Sequence, residues 1–265
     1  MDPRNTSLVA RYRPLRSISA CDAHAMYGLF SQYYGNATAD IFLRDLSAKN
    51  GAVIVRERGS KTIRGFTTIK RLELKDGSRK AIGIFSGDTI LHPDFWGDRA
   101  LKDGFARYMI SEMLTSPLTR VYWLLISKGY KTYMLMAQNF RNYYPRHDRS
   151  DDGRLKALTQ QYVDVLFPGK FDPQRGILDF GDGAQHLRPE VAPITPEMSG
   201  SVPAIAYFEK CNPHWKKGHE LPCIAEVSMA LVLPYFRKQR RKVAKPRPLE
   251  VDPAQRPQIE KQIAG

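Results

Sequence analysis

The stretch IFSGDTILHPDFWGDRALKDGFARYMI, residues 84–110, decides how the chain folds. Its first part, up to Leu91, is β-branched and aromatic and reads as a strand. Pro93 breaks that strand, because it has no N–H to donate to a ladder. Beyond Ala100, Leu101, Phe105, Tyr108 and Met109 recur at the spacing of one helix face. A strand thus runs into a helix through the short junction HPDFWGD. A helix N-terminus presents free backbone N–H groups and a partial positive charge, so this junction is a candidate anion site.

Upstream, AVIVRER (52–58), IRGFTTIKRLEL (63–74) and KAIGIFSGDTIL (80–91) are separated by the turns RGSK and KDGS, which predicts an antiparallel meander. LVARYRPL (8–15) reads as a first strand. CDAHAMYGLFSQYY reads as a helix capped by Asp22, with Met26, Leu29, Phe30 and Tyr33 on its apolar face. NATADIFLRDLSAKN reads as a second helix with Phe42, Leu43 and Leu46 on one face, ended by Asn50-Gly51. Downstream, RVYWLLIS (120–127) is a buried strand, GYKTYMLMAQNF opens a helix, and RLKALTQQYVDVLF (154–167) is another.

Residues 168–203 are rich in Gly and Pro, which predicts an ordered excursion of the kind that serves as a substrate lid. CIAEVSMALVL (223–233) is a late strand. The order β-α-α-β-β-β-α-β-α places the chain in the α/β (α+β) class. Residues 1–236 read as one domain with a lid-like elaboration at about 141–222. Residues 237–265, beginning RKQRRKVAKPRP, read as a flexible, solvated basic tail.

The 265 residues carry a formal net charge of +14, from 41 Lys and Arg against 27 Asp and Glu. Such an excess points to an anionic partner: nucleic acid, a membrane surface, a phosphorylated cosubstrate or an acidic protein. No segment approaches the roughly 18–20 apolar residues of a membrane span. No apolar signal-peptide core opens the sequence, so a cytoplasmic protein is expected. Three cysteines, Cys21, Cys211 and Cys223, make no disulfide framework. NYY beside Arg141 and Arg146 would suit single-stranded nucleic acid. No nucleic-acid motif accompanies it, and packing or partner contact is the preferred reading.

This element order resembles the GNAT acyltransferase superfamily, over roughly residues 8–140 and the late strand. The resemblance implies a mixed, mostly antiparallel sheet with splayed central strands, and a thioester donor bound between them. In that family the junction reads V-x-P-x-Y-R-G-x-G-x-G, and its backbone N–H groups cradle the donor's pyrophosphate. In LHPDFWGDRAL, Leu91, Pro93 and Phe95 match in kind and Gly97 outright, while Trp96, Arg99 and Leu101 replace the basic residue and two glycines. Glycine permits close approach of backbone to phosphate. Arg99 and Leu101 are expected to bring side chains to that surface. The tight cradle for acetyl-CoA is thereby weakened, and the single phosphodiester of a phosphopantetheine on an acyl carrier protein needs less of it. Carrier proteins are typically acidic, which suits a basic body. DIFLRDLSAKNGAVIVRE, IRGFTTIKRL, FSGDTILHPDFWG, LISKGYKTYMLM and NPHWKKGHELPCIAEVS together look like a bacterial branch that transfers longer acyl chains, including to Lys or ornithine side chains of ribosomal peptides.

The chemistry implied is amine attack on a thioester. A Lys-type amine has a pKa near 10.4 and must lose a proton first, so a base or a proton-conducting water chain is needed. Asp88 is one candidate base, the competing reading being a structural acid paired with an Arg or a backbone amide. His92 is another, the competing reading being a turn residue that caps the adjoining helix. Backbone N–H groups at Ile90 and Leu91 are the implied oxyanion donors. The family's thiol-protonating Tyr falls here on Leu135. Tyr130, out of register at the helix start, is the candidate acid, and Tyr133 reads as packing. The donor-binding set is Ile90, Leu91, Trp96, Gly97, Asp98, Arg99, Ala100, Ser127, Lys128 and Lys131, with the two lysines read either as phosphate ligands or as solvated charges. Cys211, His214, His219 and Cys223 superficially resemble a zinc knuckle, but Pro213 and Gly218 already explain a turn and no metal is expected.

The expected protein is therefore a GNAT-fold N-acyltransferase using an acyl-CoA or acyl-carrier-protein thioester, with a medium or long acyl chain and an amine acceptor, including a peptide. The alternatives are an acetyl-CoA-dependent small-molecule or protein N-acetyltransferase and a catalytically inactive binding module of the same fold. No nucleic-acid partner is expected.

Overall fold

The computed structural model describes residues 7–35, 38–150, 153–181, 185–187 and 193–228. The basic tail and the far end of the expected late strand, residues 229–233, lie outside the described residues. In chain order the elements are β1 (Leu8–Pro14), α1 (Ala20–Tyr33), β2 (Tyr34–Gly35), α2 (Ala39–Ser47), β3 (Gly51–Glu57), β4 (Ile63–Asp76) and β5 (Arg79–Leu91). Then come α3 (Ala100–Thr115), β6 (Arg120–Ser127), α4 (Tyr130–Asn139), β7 (Tyr143–Tyr144), α5 (Arg154–Leu166), β8 (Phe171–Asp172) and β9 (Ile177–Leu178). β10 (His186–Leu187), α6 (Pro196–Ser201), α7 (Pro203–Cys211) and β11 (Leu221–Val227) are the last elements among the described residues.

Seven strands form one sheet in the order β1-β3-β4-β5-β6-β11-β7. Every pairing is antiparallel except that of β5 with β6, which α3 connects as a crossover helix. That parallel pair runs only from Ala81↔Arg120 to Phe85↔Leu124. Beyond it the strands part. β5 continues to Leu91 against β4, and β6 continues to Ser127 against β11. The sheet therefore opens a wedge between residues 86–91 and 125–127. This is the splayed mixed sheet that the GNAT resemblance implies.

The register between β4 and β5 slips inside that wedge. Ile69 faces Ser86 and Thr67 faces Thr89, so Thr68 opposes both Gly87 and Asp88. One extra residue on β5 is a β-bulge, which bends the strand and re-aims its side chains. Gly87 is required there, since a Cβ would lie 2.4 Å from Thr68 Oγ1.

Side chains alternate between the two faces of the sheet. Ala52, Ile54, Phe66 and Ile90 pack under α1 and α2 through Met26, Phe30, Phe42 and Leu46. Further along the same face, Tyr122, Leu124 and Phe85 pack under α5 through Leu155, Leu158, Tyr162 and Val163. On the opposite face Trp123 meets Phe105 of α3 and Phe140 at the end of α4. The expected stripe of α3, Leu101, Phe105, Tyr108 and Met109, is buried. Gly104 brings α3 down onto the sheet, because a Cβ would sit 2.6 Å from Ala10 Cβ and 2.9 Å from Val53 Cγ1.

Several local expectations are corrected. The cap of α1 is Ser19, whose Oγ accepts from Asp22 N at 3.1 Å, while Asp22 pairs with Arg56 at 2.8 Å. An N-cap side chain must reach the N–H of the second or third helical residue, and Ser19 is the residue so placed. Leu43 is 44% exposed and does not share the buried face of Phe42 and Leu46. Within the Gly- and Pro-rich excursion, Phe171–Leu178 form the hairpin β8–β9, and His186–Leu187 of β10 pair with β2 at the end of α1. At the parallel end of β5 and β6, buried Asp76 accepts from Arg120, Tyr122 and Arg154, and Arg154 also reaches Glu226. That network ties the β4–β5 turn to β6, β11 and α5, away from the wedge.

Candidate functional site: the wedge between β5 and β6

The hydrogen-bonding of β5 determines what lines the wedge. Directly opposed residues in an antiparallel ladder alternate between exchanging and not exchanging backbone bonds. His92 N donates to Arg64 O at 2.7 Å, so the pair Ile90↔Phe66 is hydrogen-bonded and the pair Leu91↔Gly65 is not. The N–H groups of Leu91 and Thr89 therefore point away from β4, toward the wedge. Two contacts agree with this. The Leu91 carbonyl accepts from Tyr33 Oη at 2.8 Å and Trp96 Nε1 at 2.9 Å, and Thr67 and Thr89 hydroxyls meet at 2.7 Å. Of the two expected oxyanion donors, Leu91 thus faces the opening, whereas the N–H of Ile90 is spent on β4.

Asp88 lies half-buried on the bulge. Burial raises its carboxyl above the ordinary range, Lys49 and Lys128 oppose that rise, and Asp45 reinforces it. On the β6 side of the wedge, where the β6–β11 ladder ends, Lys128 Nζ sits 2.7 Å from Glu220 Oε1. Glu220 is only 3% exposed and immediately precedes β11. Burial raises its carboxyl too, against the pull of Lys128, and Asp88 adds to the rise. The Lys128 ammonium also lies 5.5 Å from the centre of the Tyr34 ring. Beside the bulge, Thr68 Oγ1 is fully buried and has no hydrogen-bond partner among the described residues.

Sequence reasoning does not single out Glu220. Its burial comes from pairing: Leu178 of β9 exchanges both backbone bonds with it, at 2.8 and 3.0 Å, so the excursion pins it against β11. Lys128, read from the sequence either as a phosphate ligand or as a solvated charge, is half-buried and ion-paired with Glu220. Ser127 is buried and its hydroxyl donates to Gly129 O at 2.8 Å, which holds the turn into α4. Tyr130 opens α4 half-buried. Tyr133 is fully buried, with Tyr143, Tyr207 and Phe208 around its ring.

The junction forms a tight turn rather than an open cradle. His92 Nδ1 accepts from Asp94 N at 3.4 Å, so His92 caps the single 3₁₀ turn over Pro93–Phe95. Gly97 takes φ +91°, a left-handed conformation that favours glycine. Asp98 Oδ1 accepts from Ala100 N at 2.6 Å. A carboxylate of the chain itself therefore occupies the first N–H of α3, where an anion would be drawn. Arg99 lies 3.7 Å from Asp103. Leu101, expected at the phosphate surface, is turned by helical spacing into the core with Phe105. Trp96 is 56% exposed, with its ring centre 6.5 Å from that of Tyr33 and 5.4 Å from Lys131 Nζ. It roofs the mouth of the wedge from the β5 side to α4.

Of the cysteine and histidine run, only the His214 and His219 rings come together, with centres 5.3 Å apart. Cys223 is buried in β11, Cys211 ends α7, and His219 faces Asp179 at 3.4 Å. Among the described residues no group of three or more His, Cys, Asp or Glu side chains is arranged to hold a metal ion. No helix among them is long and apolar enough to cross a membrane.

Fold and site together define a mixed α/β protein in which the parallel pair β5–β6 splays, with Asp88 on one side of the opening and the Lys128–Glu220 ion pair on the other. No family model matches the sequence, and no curated protein does. Solved structures do resemble it. A conserved protein from Enterococcus faecalis V583, described as "Probable N-Acyltransferase", is 12% identical over 60% of this chain, with a TM-score of 0.37. The chain spans only 43% of that protein's length. A ribosomal-protein-alanine N-acetyltransferase from Brucella melitensis biovar Abortus 2308 is 15% identical, covering 55% of this chain and 96% of that one, at a TM-score of 0.39. The GNAT-family N-acetyltransferase YhbS from Escherichia coli, in complex with CoA, is 12% identical, covering 49% and 67%, at 0.33. These values are too low to carry residue roles across. The assignment of the wedge rests on the sheet's own topology.

Proposed function

We propose that this protein is an N-acyltransferase that moves an acyl group from a thioester to an amine held in the wedge. The observation that carries the reading is the coincidence, in six residues of β5, of the strand divergence, the bulge bearing Asp88 and the outward N–H of Leu91. The acceptor ammonium gives a proton to the Asp88 carboxylate: an N–H bond breaks and an O–H bond forms. The freed amine attacks the thioester carbonyl carbon, and the resulting oxyanion takes hydrogen bonds from N–H groups at the β5 edge. Collapse breaks the C–S bond, the departing sulfur takes a proton from Tyr130 or solvent, and the second proton of the attacking nitrogen passes to the Tyr130 phenolate or to solvent, leaving the neutral amide and the free thiol.

The donor we favour is a longer acyl chain on CoA or on the phosphopantetheine of an acidic carrier protein, and the acceptor a Lys or ornithine side chain of a peptide. Asp98 at the start of α3 disfavours tight binding of a pyrophosphate there. Long acyl groups add affinity at about 0.8 kcal/mol per buried CH₂, which offsets a weak phosphate grip. The test is the intact mass of amine acceptors after incubation with acetyl-, medium- and long-chain thioesters, each on CoA and on a carrier protein. Added mass from long-chain donors supports the reading. Transfer of acetyl alone would establish the acetyltransferase alternative, and no transfer from any donor would leave a binding module.

A further inference from the structure

We propose that the outer edge of β1 and the flank of α3 form a docking groove for an extended acidic peptide segment, which joins the sheet there as an added antiparallel strand. β1 ends the seven-stranded sheet, with β3 on one side and no strand on the other among the described residues. Arg58 N donates to Ser7 O and Leu15 N donates to Asn50 O, both at 2.9 Å, so the odd-numbered residues of β1 exchange backbone bonds with β3. The backbone N–H and C=O groups of Leu8, Ala10 and Tyr12 therefore point outward. Pro14 keeps the same parity, since the N–H it lacks would also have faced outward. Beside this edge, β1 and α3 enclose a cavity of about 440 Å³ lined by Ala10, Tyr12, Gly104, Arg107, Tyr108 and Ser111 among others. An edge strand with outward backbone groups, flanked by a helix, is a setting for strand addition.

The side chains around the edge say what the partner is. Arg107 Nη2 donates to Ala10 O at 2.8 Å, which brings a guanidinium to the groove and leaves that carbonyl its second lone pair. Side chains of an added strand alternate between the faces of the sheet, as those of β1 do. On the α3 face they meet Ala10, Ser111 and the Tyr12–Tyr108 ring pair, whose centres are 4.5 Å apart, a surface suited to uncharged, apolar residues. On the other face they lie opposite Arg11 and Arg13, both exposed. Opposite charges across a strand pair attract and like charges repel, so acids belong there. The acid of the groove, Glu112, is already engaged by Arg71 at 3.1 Å. The partner is thus a segment that alternates acidic and apolar residues. A second copy of this chain, paired edge to edge through Ala10 and Tyr12, would set the arginines against their own counterparts. β3 and β4 separate the groove from the wedge, and its role does not rest on the acyl-transfer reading.

The test titrates the isotope-labelled full chain with a synthetic peptide of about eight residues, the span of an edge strand, that alternates Glu with Val. Amide NMR shifts locate the peptide and fluorescence anisotropy gives its affinity. Shifts should concentrate at residues 8–13 and 104–115. The same composition in two blocks, or Lys in place of Glu, should bind at least about tenfold more weakly. In an antiparallel pairing the residues opposite Ala10 and Tyr12 are the apolar ones, and their N–H groups face β1. N-methylation of the Val residues should therefore cost about tenfold or more, and N-methylation of the Glu residues much less. The double variant Arg11→Glu/Arg13→Glu should lose the acidic peptide by about tenfold at low salt and gain the Lys peptide. If that variant fails to fold, Arg11→Gln/Arg13→Gln should weaken the acidic peptide by about threefold. No binding of the alternating acidic peptide at millimolar concentration overturns the proposal. So do equal affinity for the block peptide, equal effects of the two N-methylated sets, an unmoved affinity in a folded arginine variant, or shifts confined to other strands. Shifts at residues 8–13 that grow with protein concentration in the absence of peptide would assign the edge to a second copy and overturn it as well.

Discussion

Replacing Asp88 by Asn gives the most direct test of the wedge as a catalytic site. Asn has nearly the shape of Asp, so the bulge and the packing of Gly87 against Thr68 survive. What disappears is the proton acceptor, and kcat should fall about 10²–10⁴-fold, the usual contribution of a general base. At 1.36 kcal/mol per tenfold, this is roughly 3–5 kcal/mol of lost transition-state stabilisation. Stability should move the other way. Burial raises the Asp88 carboxyl in the folded state, so between its unfolded and folded values the folded protein binds more protons. Stability contributed by that group is present at low pH and is lost as pH rises through the folded value. Asp88→Asn, which cannot ionise, should therefore melt higher than wild type at pH 8, and the difference should shrink toward pH 4. The assay pairs single-turnover acyl transfer with thermal melts at both pH values. Wild-type turnover in the folded variant would remove Asp88 from the chemistry. A lower Tm at pH 8 would mean that the carboxylate is a stabilising ion-pair partner, a structural acid rather than a base.

Three further outcomes concern the junction, the helix seat and the rim. Asp98→Ser keeps a capping oxygen for Ala100 N but removes a negative charge from the start of α3, so affinity for CoA-bearing donors should rise about two- to fivefold at low salt; calorimetry that shows weaker binding would remove phosphate from this end of the helix. Gly104→Val forces a side chain into Ala10 and Val53, and should destabilise by about 1–3 kcal/mol in a urea melt; an unchanged midpoint would mean that α3 does not sit closely on β1 and β3. Lys131 lies at the mouth over Trp96, whereas Lys128 is turned inward to Glu220. Lys131→Glu should therefore raise KM for an acyl-carrier donor by roughly three- to tenfold at low salt and less at high salt, while sparing a minimal acyl-pantetheine thioester. Equal slowing of both donors would place Lys131 in the chemistry or the fold rather than in docking.

Periodicity alone determined much of this protein. The meander, the strand at 120–127 and the helix after HPDFWGD all stand close to where alternation and helical spacing put them, because those signals are local and each element buries one face. The place of Asp88 within the third strand of the meander was legible for the same reason. Tertiary structure decided the rest. Sequence spacing cannot show that β5 and β6 pair for five residues and then part, since that depends on which neighbours, β4 and β11, hold the remaining backbone groups. Nor can it show that Asp98 folds back onto Ala100 N. Glu220 was hidden most completely. In HELPC it reads as a surface acid, and it becomes a buried partner of Lys128 only because Leu178, 42 residues earlier, bonds to its backbone and closes it against the sheet. A contact between segments so distant leaves no local pattern, because neither periodicity nor turn chemistry records which strand a residue will meet.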